Sequence, residues 1–336
     1  AAKDRRRRRK ARHRNRRKKR QHTGKRKHCK AKSRTRVCAG TCGVVKNNCG
    51  KKVDCGPCAC EPACGPCSTC DAATGACVAS CTADQLCIAG VCTTCDVTCA
   101  AQDHVCDGAA LQSKITDGGT IYVCPGRYIG GYSVPSGVSV SLIGAGMGDD
   151  PAANTILDAN HAGRVITTSA STSLTVGQMR LVNGAAYAAA GIYIDNTCSL
   201  EMTDVVITEC VIDGGSGGAI FAFGKTELTG CLLSANTGAY SGGAIYSNAE
   251  QVILRNTEIR GNSAEYGGGL AINDGSLSLL EGSRVTRNQA TQPSGGGGIR
   301  TGNGTAVTIS ADSLVFDNDP DDCSGAGTVT GTCGTP

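Results

Sequence analysis

The feature of this chain that most constrains its fold is an internal repeat in its C-terminal part. Five similar segments recur at spacings of 28, 25, 25 and 29 residues. They are AAGIY from residue 189, GGAIF from 217, GGAIY from 242, GGGLA from 267 and GGGIR from 296. A repeat of this length is typical of a supersecondary unit that buries its apolar side only by stacking on its neighbours.

A second pattern runs in step with the first. Its positions recur at spacings of 27, 26, 26, 26 and 30 residues and are Asn183, Cys210, Asn236, Asn262, Asn288 and Asn318. A period near 26 residues is too short for a βαβ unit, and the segments carry no helical stripe. The two patterns therefore predict an all-β chain folded as a right-handed parallel β-helix, in which each coil stacks three short strands of three to five residues on the coil below.

The repeat assigns roles to its positions. An inward aliphatic ladder is predicted for Ile192, Ile220, Ile245, Leu270 and Ile299, which explains a composition with 3 Phe, 8 Tyr and no Trp. An outward aromatic ladder is predicted for Tyr193, Phe221 and Tyr246, suited to stacking bases or sugar rings or to packing against another molecule. The Asn positions are predicted to adopt left-handed turn geometry and to hydrogen-bond along the stack, and the glycine pairs to bend the chain at a corner.

Two resemblances follow from these segments. GGTIYVCPGRYIGGYSV, followed by VSVSLIGAG, resembles the first coils of the pectate-lyase-like β-helix superfamily of exported proteins. The GGAI elements with SANTG, RGNSA and TRNQA resemble the repeats of polymorphic outer-membrane-type surface proteins. Together they cover about residues 108–320 and imply the fold. They leave function open, because this fold carries lyases, hydrolases, adhesins and structural stalks.

Cysteine usage predicts an exported protein. Seventeen of the 23 cysteines lie between Cys29 and Cys106, a density that favours disulfides in an oxidising compartment. We expect an export signal removed before Ala1, and disulfides that hold residues 37–107. The odd total leaves one thiol free or paired between chains. Two CGPC motifs, at 55–58 and 64–67, match a thioredoxin redox centre but lack its βαβ context, and zinc in paired C-x-x-C units is a further alternative.

The N-terminal residues form a polybasic arm. Residues 1–36 hold 21 of the 34 Lys and Arg and one acid, whereas the rest of the chain has 13 bases against 27 acids. The predicted polyanion-binding residues are Arg5, Arg6, Arg7, Arg8, Arg9, Lys10, Arg12, Arg14, Arg16, Arg17, Lys18, Lys19 and Arg20. Guanidinium groups bind phosphates bidentately. The favoured partner is DNA; an acidic cell-wall or matrix glycan and the acidic β-helix of a neighbouring molecule are the alternatives.

Two groups of carboxylates are candidates for a catalytic or metal site. At an offset of 26 residues only Glu201 and Glu227 superpose, and stacked glutamates resemble the pair of a retaining glycosidase. The segment DNDPDDC brings Asp317, Asp319, Asp321 and Asp322 together, as in a calcium loop, but its spacing matches no EF-hand. We expect solvated acids in the first case and a solvated terminal cap in the second, with no catalytic residue, metal or cofactor.

The predicted organisation has four parts: the polybasic arm at 1–36, a cysteine-rich disulfide module at 37–107, the β-helix at 108–322 and a C-terminal cap or tail at 323–336. No apolar run is long enough to span a membrane. The expected function is that of a secreted, non-catalytic surface or matrix protein. In it the arm binds a polyanion and the β-helix serves as a rigid rod, with possible self-association into a fibre or coat. The alternative is a polysaccharide-active enzyme or an adhesin for acidic glycans.

Overall fold

The computed structural model describes residues 44–46, 49, 51–54, 68–70, 77–79 and 81–334. The chain divides into two compact units, Ala1–Ala79 and Ser80–Pro336. In the first unit the described residues form two antiparallel hairpins. One joins β1 (Val44–Lys46) to β2 (Lys52–Asp54), and the other joins β3 (Ser68–Cys70) to β4 (Cys77–Ala79).

The second unit is a parallel β-solenoid of about nine turns. It begins with an antiparallel hairpin of β5 (Gln85–Ile88) and β6 (Val91–Thr94), followed by β7 (Val105–Asp107) and helix α1 (Ala109–Asp117). The remaining strands are β8 (Gly119–Tyr122), β9 (Gly126–Ile129), β10 (Tyr132–Val134), β11 (Ser139–Ile143), β12 (Thr155–Asp158), β13 (Ile166–Thr168), β14 (Ser173–Val182), β15 (Ala185–Ala186), β16 (Ile192–Ile194), β17 (Ser199–Thr208), β18 (Val211–Ile212), β19 (Ile220–Ala222), β20 (Lys225–Thr229), β21 (Leu232–Ser234), β22 (Ile245–Ser247), β23 (Gln251–Arg255), β24 (Glu258–Arg260), β25 (Ser263–Ala264), β26 (Leu270–Ile272), β27 (Ser276–Leu280), β28 (Arg284–Thr286), β29 (Gln289–Ala290), β30 (Ile299–Thr301), β31 (Ala306–Ile309), β32 (Leu314–Phe316), β33 (Cys323–Gly325) and β34 (Thr328–Thr330).

Each coil contributes strands to three faces. Face 1 stacks β10, β13, β16, β19, β22, β26, β30 and β33. Face 2 stacks β8, β11, β14, β17, β20, β23, β27, β31 and β34. Face 3 stacks β7, β9, β12, β14, β17, β21, β24, β28 and β32. Strands β14 and β17 have 10 residues each and run through both face 2 and face 3, which the prediction of three to five residues per strand missed.

The predicted aliphatic ladder is confirmed on face 1. Parallel pairing places its members directly above one another, and each is fully buried: Ile192, Ile220, Ile245, Leu270 and Ile299. Side chains alternate between the two sides of a strand, so the residue that follows each ladder position points outward. The sequence pattern therefore sets both the interior and the exterior of this face.

Glycines make the corner before face 1. The first glycine of each pair adopts a left-handed backbone, with φ of 75° at Gly217, 69° at Gly242, 59° at Gly267 and 64° at Gly296. A Cβ atom at Gly242 would lie 2.2 Å from the carbonyl oxygen of Ile245. At Gly242 only a residue without a side chain fits, and the left-handed glycines confirm the predicted bend. The first segment has Ala189 at the equivalent position, also left-handed with φ of 55°.

The asparagines form a buried ladder at the corner that follows face 3. The Oδ1 atom of Asn262 accepts hydrogen bonds from the backbone N (2.9 Å) and Nδ2 (3.0 Å) of Asn236, and the Oδ1 of Asn288 accepts the same pair from Asn262 at 3.0 and 2.9 Å. Each Nδ2 also donates to a backbone carbonyl of the preceding coil, as Asn262 does to Leu233 (3.0 Å). The predicted hydrogen bonding along the stack is confirmed.

Two details of the asparagine prediction are wrong. The left-handed residue is the one that precedes each ladder position: φ is 58° at Glu209, 54° at Ala235, 63° at Gly261, 56° at Arg287 and 58° at Asp317. Asn183 is not a rung of the ladder, because pairing aligns it with Glu209 and leaves Gly184 at the rung below Cys210. It occupies the left-handed position instead, with φ of 57°, where asparagine is tolerated.

The N-terminal end of the solenoid is covered by helix α1. Leu111 and Ile115 of the helix are fully buried against the core. Gly108 precedes the helix, and a Cβ atom there would lie 2.3 Å from the hydroxyl of Tyr132, so the helix docks closely on the first coil. The described disulfides are Cys81–Cys92, Cys95–Cys124 and Cys99–Cys106 near this end and Cys323–Cys333 at the other.

Candidate functional site

The predicted polyanion-binding residues, from Arg5 to Arg20, lie outside the described residues. The same is true of both CGPC motifs. Within the described part of the chain, the candidate sites lie on the outer faces of the solenoid. There the side chains of successive coils line up at the strand spacing of about 4.8 Å.

The predicted superposition of two glutamates on face 2 is confirmed. Glu201 pairs in register with Glu227 on the next coil. A cation that the sequence comparison overlooked completes the group, because Arg255 donates to Glu227 (Nε to Oε1, 3.1 Å) and to Glu281 (Nη1 to Oε1, 2.7 Å). The two carboxylates raise the pKa of the Arg255 guanidinium. Glu227 is thus held in an ion-paired row that crosses three coils.

Two of the four carboxylates in the C-terminal acidic segment have structural partners. Asp322 Oδ1 accepts from the backbone N (2.9 Å) and Nδ2 (2.8 Å) of Asn318, the contacts that the next asparagine would make. Asp319 accepts from Nε2 of Gln289 at 3.3 Å. Asp322 therefore terminates the asparagine ladder. In the described residues no three His, Cys, Asp or Glu side chains are grouped so as to hold a metal ion.

Three cysteines of the solenoid are free and buried: Cys198, Cys210 and Cys231. The expectation of one unpaired thiol underestimated their number. Cys210 stands at the head of the asparagine ladder, where its backbone N donates to Asn236 Oδ1 (3.1 Å). Cys231 heads a similar row of hydroxyls, beginning with Thr257 Oγ1 (3.3 Å). Burial raises the pKa of Cys210 and of Cys231 to about 12, so both are protonated structural groups rather than nucleophiles.

The outward aromatic ladder on face 1 is confirmed. Tyr193, Phe221 and Tyr246 follow one another in register, with ring centroids 5.9 and 4.8 Å apart. Phe223, which was not predicted, packs against Phe221 at 4.9 Å. The guanidinium carbon of Arg164 lies 5.2 Å from the centroid of Tyr193. All four rings are partly exposed. The column is therefore a mixed surface of tilted rings in contact, with a cation at one end.

The aromatic column ends at a gap. Below Tyr246 the next outward residues in register are Ala271 and Arg300, so the rung of Ala271 holds a methyl group between a phenol ring and a guanidinium group. The guanidinium carbon of Arg300 lies 4.1 Å from the ring centroid of Tyr266. A cleft of about 100 Å³ lies at this rung above the Ala271 side chain, which is itself 4% exposed, and we name the cleft the Ala271 slot. Its lining is Ser241, Tyr246, Ala271, Ile272, Asn273, Arg300, Thr301 and Gly302.

A comparison with protein-family models supports the fold and its handedness. The model described as the right-handed β-helix region matches residues 165–335, which is half of the chain. The chain belongs to this family of right-handed β-helix proteins. Neither the curated proteins nor the solved structures that were compared with the chain gave a match. The family includes both enzymes and non-enzymes, so membership leaves the activity open.

Proposed function

We propose that this protein is a secreted, non-catalytic binding protein. Its polybasic arm attaches a rigid β-helix to a polyanion, first of all DNA. The observation that carries the proposal is the separation of charge along the chain. Residues 1–36 hold 21 Lys and Arg against one acid, whereas residues 81–334 hold 10 against 24 Asp and Glu. Such an asymmetry points to a polyanionic partner for the basic part.

The composition of the arm suits a phosphate backbone. Residues 5–20 contain 13 Arg and Lys, and no aromatic residue lies among them. Arginine binds phosphate oxygens bidentately and stays charged at any ordinary pH. Because no ring is available for stacking on bases, the arm is suited to track a phosphate backbone with little sequence preference.

The disulfides support an extracellular setting. The described residues contain disulfides at both ends of the solenoid, and disulfides persist in oxidising compartments. No helix in the described part of the chain is long and apolar enough to cross a membrane. The GGAI and Asn repeats further support a kinship with polymorphic outer-membrane-type surface proteins. We propose export because of the disulfides and the repeats.

The experiment that tests DNA binding is a salt titration. Affinity of the full chain for a labelled DNA duplex should fall with a log–log slope of about −6, because each neutralised phosphate contributes about −0.9 and about half of the 13 cations between Arg5 and Arg20 engage at once. Changing Arg5–Arg9 together to Ser should lower both affinity and slope. The matched control changes the same five residues to Lys and should retain most of both, since charge is kept.

The alternative partners are separate outcomes of the same titration. Unchanged duplex affinity after deletion of residues 1–28 would refute the proposal. Preferential binding to an acidic polysaccharide would assign the arm to a glycan. Arm-dependent self-association, detected by analytical ultracentrifugation without any polyanion, would assign it to the acidic solenoid of a neighbouring molecule and to assembly of a fibre or coat.

A second candidate function is catalysis on a glycan, which the register of Glu201 with Glu227 favours. Adjacent rungs lie about 4.8 Å apart, close to the carboxylate separation of retaining glycosidases. The ion pair from Arg255 to Glu227 weighs against it, because a nucleophile or acid must be available to the sugar. Hydrolysis or elimination by the purified protein that Glu201→Gln and Glu227→Gln each abolish would establish the enzyme and overturn the binding proposal.

A further inference from the structure

We propose that the Ala271 slot binds one base of single-stranded nucleic acid, stacked between Tyr246 and Arg300. The inference rests on the proposed function for the attachment of the strand, since the arm would hold the phosphates. The slot adds what the arm lacks, a surface that recognises an unpaired base. It would make the solenoid a second binding element in place of a passive rod.

The two walls of the slot are spaced for one ring. Tyr246 and Arg300 stand two rungs apart, which corresponds to about 9.6 Å. A ring in the rung of Ala271 would lie about 4.8 Å from each wall. The protein already packs rings at this distance one coil earlier, where the centroids of Phe221 and Tyr246 are 4.8 Å apart and the ring planes are tilted by 41°. A bound base would thus continue the aromatic column by one rung.

The chemistry of the walls favours a base over a saturated sugar. One wall is a phenol ring. The other is the Arg300 guanidinium, which lies against Tyr266 on another side and has no ion pair within the described part of the chain. A π-system gains from both walls, by ring stacking on Tyr246 and by cation–π attraction to Arg300. A sugar ring has no π-face, so it gains neither ring stacking on Tyr246 nor cation–π attraction to Arg300.

The rim of the slot suits the edge of a base. Ser241 contributes a hydroxyl group, which donates and accepts hydrogen bonds. The buried hydroxyl of Thr301 instead donates to Ser324 O and accepts from Gly327 N. The amide of Asn273 donates from Nδ2 to Asn248 Oδ1 (2.9 Å), which leaves its Oδ1 to accept from a ligand. Hydroxyl and carbonyl oxygens serve several base edges equally, so we expect little discrimination among bases.

Electrostatics also favours a neutral ring at this position. The solenoid residues 81–334 carry 14 more acids than bases, which opposes the approach of a phosphate backbone along the rod. The lining of the slot has no carboxylate and one cation. A base is uncharged, and at physiological salt its phosphate is screened beyond a Debye length of about 8 Å. The neutral ring is therefore the part of a nucleotide that this surface suits best.

The test compares single-stranded and duplex DNA binding of the full chain and its variants. Ala271→Phe fills the slot with the ring that the column lacks and should lower affinity for an oligothymidylate by about 10-fold, within the range for stacking one base. Duplex affinity should be unchanged, because paired bases are not available. Tyr246→Ala should act likewise, and both variants should keep the thermal melting of the solenoid. Tyr240→Ala removes a tyrosine that is 58% exposed and outside the slot lining, and serves as the matched control.

A second measurement separates failure of the slot from failure of the arm. Saturation-transfer NMR of the full chain with thymidine monophosphate reports base contact whether or not the arm binds DNA. Transfer to the base protons that Ala271→Phe abolishes supports the slot even if duplex binding proves independent of residues 1–28. Absence of transfer, equal transfer in Ala271→Phe, or binding of a uronate monosaccharide in place of the nucleotide would overturn the slot proposal.

Discussion

Removing one rung of the asparagine ladder should destabilise the solenoid far more than removing an exposed asparagine. In Asn262→Ala the side chain that is lost accepts two hydrogen bonds from Asn236 and donates to Leu233 and Asn288. The Asn262 side chain is buried, with 1% exposure. The matched control is Asn248→Ala, which loses one exposed side-chain bond from Asn273.

The magnitude follows from the partners that each change leaves behind. Asn262→Ala leaves the buried backbone N–H of Asn236 without an acceptor, at about 1–3 kcal/mol. It also removes hydrogen bonds from groups that keep one other partner, at about 0.5–1.5 kcal/mol each. We expect a loss of about 3–5 kcal/mol in the free energy of unfolding, against less than about 0.5 kcal/mol for the exposed control.

Urea unfolding followed by circular dichroism gives the two losses, and native-state hydrogen exchange locates them. The amide of Asn236 should exchange slowly in the wild type and in Asn248→Ala, and much faster in Asn262→Ala. Equal losses of stability in the two variants, or an Asn236 amide that stays protected without its acceptor, would show that the ladder hydrogen bonds do not stabilise the corner. The expected loss of about 3–5 kcal/mol would then be wrong.

Four further predictions concern the core and its thiols. Ile245→Asp should prevent folding, because it buries an unpaired carboxylate at a cost of several kcal/mol, whereas Tyr246→Ser should melt almost as the wild type does; equal melting temperatures would reverse the inward and outward assignment. Cys198, Cys210 and Cys231 should resist Ellman's reagent in the native state and titrate as three thiols in denaturant without reductant. Burial raises the pKa of Cys210 and Cys231 from 9.0 to about 12. Their protonated thiols therefore contribute stability that is complete below about pH 9 and is lost as the pH rises toward 12. The urea midpoint of the wild type should decline over this range, and a variant with Ala at both positions should lack this decline. Cys210→Asn should add one rung to the ladder and about 1 kcal/mol of stability, and a lowered midpoint would contradict that extension.

The sequence predicted those parts of the fold in which one position repeats at a nearly constant spacing. Ile192 to Ile299 could be assigned inward because alternation and period agree. Asn183 was wrongly predicted as a ladder position because it is an asparagine close to the expected spacing. A strict 26-residue step back from Cys210 leads to Gly184 instead. Helix α1 has no repeat to reveal it, since it occurs once, as a cover for the first coil.

The candidate site was only partly visible for a similar reason. The last letters of the five repeat segments read Y, F, Y, A, R, which is the outward column of face 1 and contains the signal for the Ala271 slot. Its other lining residues, Ser241 and Asn273, lie in corners of variable length, where no period predicts their approach. The ion pair between Arg255 and Glu227 joins residues 28 positions apart. It was not predicted because acidic residues alone were aligned, at an offset of 26.

The carboxylate of Asp322 has a consequence for how proteins of this kind change in length. Because Asp322 supplies the contacts of an absent asparagine, the last coil is closed from within the chain, and helix α1 closes the first. Each coil between them meets equivalent neighbours above and below. Duplication of one 26-residue segment, such as 237–262, therefore inserts a coil that finds its core, its corner and its amide contacts already in place. Duplication within the gene can therefore lengthen such a chain by whole coils. The two ends of the solenoid, helix α1 and Asp322, stay unchanged.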